Sequence, residues 1–184
     1  MTRMERNYRQ NVSYNYRPKT LLWVIENERV SLSIWLSLAR DIAAGLAYLH
    51  SHDIIHRDVK PANILFIHAH PKLADIGLVT YAVAESAEAK SMVGTQRYMA
   101  PEGSGTKQSD VFSLGIVLRE LLERCDWDES GESSDQTCIR VGVDTLIRRS
   151  IQPNPAERFA DGEEMREALE SLVQKGNSSG PKIT

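Results

Sequence analysis

The stretch His56-Arg57-Asp58-Val59-Lys60-Pro61-Ala62-Asn63-Ile64-Leu65 decides how this chain is interpreted. It combines an acid, a base and an amide within eight residues, and an apolar, strand-like segment follows directly. A loop of this composition can hold a hydroxyl group, a phosphate and a metal ion at one point.

Each polar residue of this run suits the transfer of a phosphoryl group, a reaction that asks a protein mainly for positioning and charge compensation. Asp58 can accept a hydrogen bond from an attacking hydroxyl group and take its proton late. Lys60 can offset charge on the transferred group, and Asn63 can turn its side-chain oxygen towards a metal ion. Further along, Asp75 adds a carboxylate, and magnesium is bound by such oxygens together with substrate phosphates.

The run resembles, without a mismatch, the catalytic loop H-R-D-x-K-x-x-N of the protein-kinase family. Four later segments resemble kinase motifs in the same order: Asp75-Ile76-Gly77, the stretch 94–102 that ends in Ala100-Pro101-Glu102, the stretch 109–115, and the stretch 153–159. The order and spacing carry the resemblance, since a lone Asp-x-Gly is worthless as evidence. The resemblance covers about residues 14 to 174, and it is to the helical C-terminal lobe only.

The resemblance implies a role for each matching position. Asp58 is implied to be the catalytic base and Lys60 the phosphate-contacting lysine of Ser/Thr-specific members. Asn63 and Asp75 are the implied magnesium ligands, and Leu65 is the implied floor under adenine, although it fits plain core as well. The implied cofactors are therefore ATP and Mg²⁺, and the implied partner is a protein substrate.

Arg57 resembles the arginine of kinases that are switched by phosphorylation, because a guanidinium there can capture a phosphate with two hydrogen bonds. Ser91 is the first candidate for such a modification, with Ser86 and Thr80 behind it, although most loop serines are merely solvated. Thr95 is implied to lie near the catalytic aspartate and lysine.

Four further positions are expected to be structural. His56 is best interpreted as a packed residue rather than a catalyst. Asp110 is implied to anchor the catalytic loop from below. Glu102 and Arg158 are implied to form a buried ion pair, so truncating either one should destabilise the fold rather than the chemistry.

The sequence departs from the family in two ways. Ile76 stands where kinases usually have Phe, but it is apolar, so a packing role survives. Nothing matches a glycine-rich G-x-G-x-x-G loop or a strand lysine of the V-A-I-K type, so we expect no N-terminal-lobe β-sheet. Adenine would then have a floor and no roof, so this chain alone should be inactive unless a missing N-terminal lobe or companion chain completes it.

The expected fold class is mainly α (α+β), a kinase-like helical C-terminal lobe with a small β-hairpin at the catalytic cleft. The expected domains are a polar linker over 1–17, a partial kinase domain over 18–174 and a disordered tail over 175–184. Periodicity and capping residues predict helices over Thr20–Glu26, Ser33–His52, Val111–Leu122, Val143–Ile151 and from Asp161 onwards. The hairpin is predicted as Ile64–Ile67 and Lys72–Ala74, and 125–137 as an acidic loop.

The composition excludes several other classes of protein. The 184 residues carry a net charge of −3, so we expect no nucleic-acid binding, although basic and aromatic residues interleave over 1–17. The two cysteines form no disulfide framework and fit a cytoplasmic location. We expect no membrane segment and no secretory signal. The spacing from Glu102 to Asp110 is shorter than in most kinases, and the stretches 16–21, 75–79 and 101–106 together resemble bacterial kinases of eukaryotic type, which favours a bacterial origin.

Three alternatives remain open. The chain can be a catalytically dead half-kinase that acts as a protein-binding scaffold or regulator, although a scaffold has no physical need for all four polar site residues. It can be a small-molecule phosphotransferase of related fold, although Lys60 and the stretch 94–102 fit a protein substrate better. His68 and His70 can form a metal pair, but an exposed turn is favoured because no third ligand lies nearby in sequence.

Overall fold

The computed structural model describes residues 19–76, 96–126 and 134–177, and side chains are described for these residues except 134–136 and 175–177. Helices dominate these ranges, as predicted: α1 (Leu21–Asn27), α2 (Leu32–Ser51), α3 (Lys107–Leu122), α4 (Ser134–Ser150) and α5 (Gly162–Asn177). The strands are short: β1 (Val30–Ser31), β2 (Ile64–Ile67), β3 (His70–Leu73) and β4 (Cys125–Asp126). β1 pairs with β4 in parallel, and β2 pairs with β3 in the antiparallel sense.

Helix α2 is the long helix against which much of the core packs. It begins at Leu32, where the Oγ of Ser31 accepts a hydrogen bond from the N–H of Ile34 at 3.3 Å. The predicted stripe is buried at Leu38, Ile42, Leu46 and Leu49, but Ile34 is 50% exposed. Trp35 takes its place in the core, fully buried, and its indole Nε1 donates to the carbonyl oxygen of Leu118 at 3.1 Å.

By length and composition alone α2 could cross a membrane, which the sequence analysis did not anticipate. The buried core helix of a globular domain passes the same test. The apolar side of α2 is buried against other parts of this fold, including α3 and α5. We therefore interpret α2 as a core helix.

The hairpin follows the quoted loop and returns the chain to it. Its turn has only two residues, His68 and Ala69, both with positive φ (49° and 66°). The prediction that His70 and Pro71 belong to the turn is wrong, because both lie in β3. Phe66, which lies opposite Pro71, donates its N–H to the carbonyl oxygen of Lys19 at 2.8 Å, on the side away from β3. The Phe66–Pro71 pair therefore contributes no hydrogen bond to the hairpin, and proline is tolerated at this position.

Helix α3 runs through the centre of the described fold, as its apolar sequence predicts. It starts before the predicted residue 111, because Thr106 caps it: the Thr106 Oγ1 accepts from the N–H of Ser109 at 3.0 Å. Its fully buried apolar residues are Val111, Leu114, Val117, Leu118 and Leu121. A Cβ at Gly115 would come within 2.6 Å of the Ser150 Cβ, so glycine permits the close approach of α3 to the end of α4.

The last two helices differ from their predicted bounds. α4 begins at Ser134 rather than at about residue 143, so its first turn falls within the stretch that was expected to be an acidic loop. Residues 134–141 are mostly polar and carry no apolar period, which explains the missed start. α5 begins at Gly162, where Asp161 Oδ1 accepts from the N–H groups of Glu163 and Glu164 at 2.9 and 3.0 Å. The disordered tail predicted over 175–184 is wrong for residues 175–177, which belong to α5, and the rest of it lies outside the described residues.

We expect Trp35→Phe to lower the free energy of unfolding by about 2 kcal/mol, because it removes the indole hydrogen bond to Leu118 and leaves a void in the core. Urea unfolding followed by circular dichroism measures this change. The matched control is Trp23→Phe, since Trp23 is 45% exposed and should change stability by less than about 0.5 kcal/mol. Equal effects of the two substitutions would contradict the central position of Trp35.

Candidate active site

A buried carboxylate in the first turn of α3 holds the quoted loop in position. Asp110 is 1% exposed. Its Oδ2 accepts from the backbone N–H of His56 at 2.7 Å, and its Oδ1 accepts from the N–H of Arg57 at 2.8 Å. The loop is therefore fixed to α3 by its own main chain at two successive residues.

Arg57 has a positive φ of 69°, a conformation that costs free energy for a residue other than glycine. The hydrogen bond from its amide to Asp110 helps to hold this conformation. Its side chain is exposed. The predicted phosphorylation sites Ser91, Ser86 and Thr80, and likewise Thr95, lie outside the described residues, so the role assigned to Arg57 stays a prediction.

Three polar residues of the loop meet at one carboxylate. The Nδ2 of Asn63 donates to the Asp58 backbone oxygen and to its Oδ2, both at 2.9 Å. The Nζ of Lys60 lies 2.7 Å from the same Oδ2. A single 3₁₀ turn, Pro61–Asn63, bends the chain back between Lys60 and Asn63 and makes this meeting possible.

Two further oxygens of this group make no hydrogen bond with the described residues. Oδ1 of Asp58 is buried, and no hydrogen-bond donor of the described residues reaches it. Oδ1 of Asn63 accepts no hydrogen bond from any side chain or amide in the described ranges. Buried polar atoms normally have a partner, so an unpaired carboxylate oxygen beside an ammonium group indicates a place for a hydroxyl group or a cation.

Asp75 is brought close to the loop by the hairpin. The N–H of Ala74 donates to the carbonyl oxygen of Asn63 at 2.8 Å, so Asp75 follows directly after the last bonded residue. It has a positive φ of 58° and is exposed, and its carboxylate makes no hydrogen bond within the part of the chain that the structure describes. Gly77 lies outside that part.

The donors at this point fit magnesium better than a transition metal. Within residues 19–76, 96–126 and 134–177 no three His, Cys, Asp or Glu side chains cluster, so the metal pair suggested by His68 and His70 gains no further ligand. Asn63 and Asp75 offer one amide oxygen and one carboxylate. Magnesium is bound by one or two carboxylates together with water and phosphate oxygens, and this set meets that requirement.

Only 1% of the surface of His56 is exposed. The N–H of Asp58 points to the His56 Nδ1 at 3.4 Å, and the His56 Nε2 has no hydrogen-bond partner in the part of the chain that the structure describes. This location is that of a packed residue beneath the loop.

Leu65 is half-buried in β2, opposite Lys72 and bridged to Thr20 on its other side. A separate cleft of about 510 Å³ lies between α2 and β3, lined among others by Tyr48, Leu73 and Ile76. It includes neither Asp58 nor Asn63, so it is not part of the site built around the loop.

The ion pair expected between Glu102 and Arg158 is present. Arg158 donates to both carboxylate oxygens of Glu102, at 2.6 and 2.8 Å, and to three backbone carbonyl groups, so all five of its N–H groups are used. These hydrogen bonds lower the pKa of Glu102. The arginine side chain is fully buried, but the glutamate side chain is 29% exposed, so the expectation of a fully buried pair is wrong on the carboxylate side.

Two polar centres of the described fold were missed by the sequence analysis. Tyr98 donates its hydroxyl to the Oε2 of Glu120 at 2.7 Å, and burial together with this bond raises the pKa of Tyr98. His50 is buried at the end of α2 and bonded to Asp110 at 3.1 Å. One signal was available for His50: it lies four residues after Leu46, so it continues the apolar face of the helix.

The loop, its carboxylate anchor and the paired hairpin form one polar centre in a mainly helical domain, and comparison with known proteins identifies the family of this domain. The protein kinase domain family matches residues 6–181. The chain therefore belongs to the protein kinase family.

Several named kinases are similar to it. Serine/threonine-protein kinase PknL of Mycobacterium tuberculosis is 32% identical over 162 residues, which cover 76% of this chain and 41% of that protein. The mouse interferon-induced, double-stranded RNA-activated protein kinase is 32% identical over 165 residues, covering 84% and 32%. Serine/threonine-protein kinase PrkC of Bacillus subtilis is 29% identical over 173 residues, covering 81% and 26%. The chain thus matches less than half the length of these relatives.

We expect Arg158→Lys to lower the free energy of unfolding by about 2 kcal/mol or more, because one ammonium group cannot replace five N–H donors and leaves buried carbonyl groups unpaired. Urea unfolding measures the change. The matched control is Arg148→Lys: the Arg148 side chain is 74% exposed and pairs with Asp144, so less than about 0.5 kcal/mol should be lost. Similar losses for both variants would contradict the structural role of Arg158.

Proposed function

We propose that this chain is the C-terminal, catalytic lobe of a serine/threonine protein kinase that transfers the γ-phosphoryl group of ATP to serine or threonine hydroxyl groups of a protein substrate. The observation that carries the proposal is the carboxylate of Asp58. One of its oxygens is held by Lys60 and Asn63, and the other has no hydrogen-bond partner among the described residues. The names of the bacterial relatives PknL and PrkC, both serine/threonine-protein kinases, support the same class of reaction.

Asp58 acts as the general base in this proposal. Its carboxylate belongs to a side chain that is 33% exposed, and it accepts a hydrogen bond from the substrate hydroxyl group, which orients the hydroxyl oxygen towards the γ-phosphorus. The new oxygen–phosphorus bond forms as the bond from the γ-phosphorus to the bridging oxygen of ADP breaks, and the hydroxyl proton passes to the carboxylate. Asn63 and Lys60 hold Oδ2, so the carboxylate cannot rotate away.

Lys60 has a second task. Its ammonium group lies 2.7 Å from Oδ2 of Asp58, so it can reach the phosphoryl group that this carboxylate faces. Positive charge there compensates the charge of the transferred group, which is the larger part of catalysis in phosphoryl transfer. A lysine in this position favours a Ser/Thr substrate, as the family resemblance implies.

Asn63 and Asp75 are the proposed ligands of Mg²⁺, through an amide oxygen and a carboxylate that no described group engages. When bound, the metal supplies Lewis-acid charge on the phosphate oxygens. The exposed carboxylate of Asp75 and its backbone position beside Asn63 support this assignment. Leu65 is the proposed floor under adenine, and Arg57 the proposed receptor of a phosphate on Ser91.

Completion of the site by a second lobe is part of the proposal. The described residues supply one side of a nucleotide site: a loop, a hairpin and helices beneath them. The sequence offers no glycine-rich loop to cover the phosphates. An N-terminal kinase lobe, joined to this one or carried by a companion chain, is therefore the proposed partner.

We expect the 184-residue chain alone to bind Mg-ATP more weakly than the micromolar range, because phosphates and adenine would contact protein on one side only. Isothermal titration calorimetry with and without Mg²⁺ measures the affinity. Micromolar binding that needs Mg²⁺ and is lost in Asn63→Ala would contradict the need for a second lobe while leaving the site assignment intact.

We expect Asp58→Asn to reduce phosphoryl transfer by at least about a hundredfold in a kinase that joins this chain to an N-terminal lobe, because an amide cannot take the proton. Incorporation of phosphate into a Ser/Thr peptide measures the rate. Asp53→Asn is the matched control: the Asp53 side chain is 91% exposed and bonded to Lys107, and asparagine tolerates its positive φ of 56°. Unchanged transfer in the Asp58 variant rules out this base.

A further inference from the structure

His50 connects the last helix of the lobe to the loop that carries Asp58. Its ring is 1% exposed. Nδ1 accepts a hydrogen bond from the backbone N–H of Gly162 at 2.9 Å, and Nε2 lies 3.1 Å from Oδ2 of Asp110. The same oxygen accepts from the N–H of His56 at 2.7 Å.

These contacts assign the tautomer of His50. A backbone N–H can only donate, so Nδ1 must be the acceptor and carry no proton. The remaining proton of the neutral ring lies on Nε2, which donates it to the carboxylate of Asp110. In this arrangement each nitrogen of the buried ring has one suitable partner.

The donor at Nδ1 belongs to a tightly packed helix start. A Cβ at Gly162 would lie 2.5 Å from the backbone nitrogen of Ala47 and 2.7 Å from the carbonyl carbon of Leu46. Gly162 therefore brings the first turn of α5 directly onto α2, one turn before His50. The position of its N–H is set by this backbone contact and not by a flexible side chain.

We propose that His50 is a positioning residue for the proposed phosphoryl transfer: docking of α5 fixes its Nε2–H tautomer through Gly162, and that N–H orients the Asp110 carboxylate that holds the amides of His56 and Arg57. The chain of contacts ends at Asp58, the residue after these amides. The proposal rests on the proposed function for its catalytic consequence, but the hydrogen-bond relay itself is measurable without any activity.

Two substitutions separate the two halves of the relay. Asparagine matches the reach of Nδ1, so His50→Asn keeps an acceptor for Gly162 and loses the donor to Asp110. Glutamine matches the reach of Nε2, so His50→Gln keeps a donor to Asp110 and loses the acceptor for Gly162. His52→Gln is the control, because His52 is exposed and contacts only neighbouring residues of its own helix end.

The experiment is amide hydrogen exchange on the 184-residue chain, with the rates of His56, Arg57 and Gly162 divided by those of core amides in α3. In His50→Asn the two loop amides should exchange roughly tenfold faster or more, while Gly162 stays protected. In His50→Gln the amide of Gly162 should exchange faster, while the two loop amides stay protected. ¹⁵N spectra of the native chain should show the Nε2–H tautomer of His50.

Equal changes in the exchange rates of the loop amides in both variants, after division by the rates of the core amides, would contradict the relay. An Nδ1–H tautomer of His50 would contradict it as well. If His50→Asn does not fold, the native tautomer and the loop amides in His50→Gln still decide the question. In a kinase completed by an N-terminal lobe, His50→Asn should lower kcat with little change in KM for ATP. His50→Gln should keep kcat close to that of the native kinase. If Asp58→Asn leaves phosphoryl transfer unchanged while the amides exchange as expected, the proposed function is wrong and the hydrogen-bond relay is still supported.

Discussion

The position of the catalytic loop depends on the carboxylate of Asp110. It is taken out of water at the first turn of α3 and accepts hydrogen bonds from two successive loop amides and from an imidazole. Burying a charged group costs much free energy unless its oxygens are hydrogen-bonded. If the loop moved away from this turn, the Asp110 carboxylate would lose two of its hydrogen bonds. This requirement restricts where Asp58 can lie.

The turn that carries Asp110 is itself held from two sides. Thr106 caps the helix through the N–H of Ser109. Arg158 donates to the carbonyl oxygen of Gln108 at 3.1 Å while it binds Glu102 with two hydrogen bonds. The arginine thus connects the segment that ends at Glu102, the start of α3 and the connection between α4 and α5. A single guanidinium group can do this because its five donors lie in one plane and point in different directions.

Much of the local structure could be predicted from the sequence, because it depends on near neighbours. The apolar face of α2 and the hairpin after the loop follow from short-range patterns. Errors arose where two local patterns compete. Ile34 and Trp35 both fit the start of the α2 stripe, and only packing against α3 decides that the indole is buried. The second strand begins at His70 because the turn closes over two residues with positive φ, which neither His68 nor Ala69 signals.

The sequence by itself determined the set of polar residues in the loop and the elements around it, since Asp58, Lys60 and Asn63 lie within one short turn. It did not determine which distant groups hold that loop. His50 and Asp110 are 60 residues apart, and Glu102 and Arg158 are 56 residues apart. Such contacts exist only because helices α2, α3 and α5 pack in one arrangement, and local propensity carries no information about the partner that a buried polar side chain will meet.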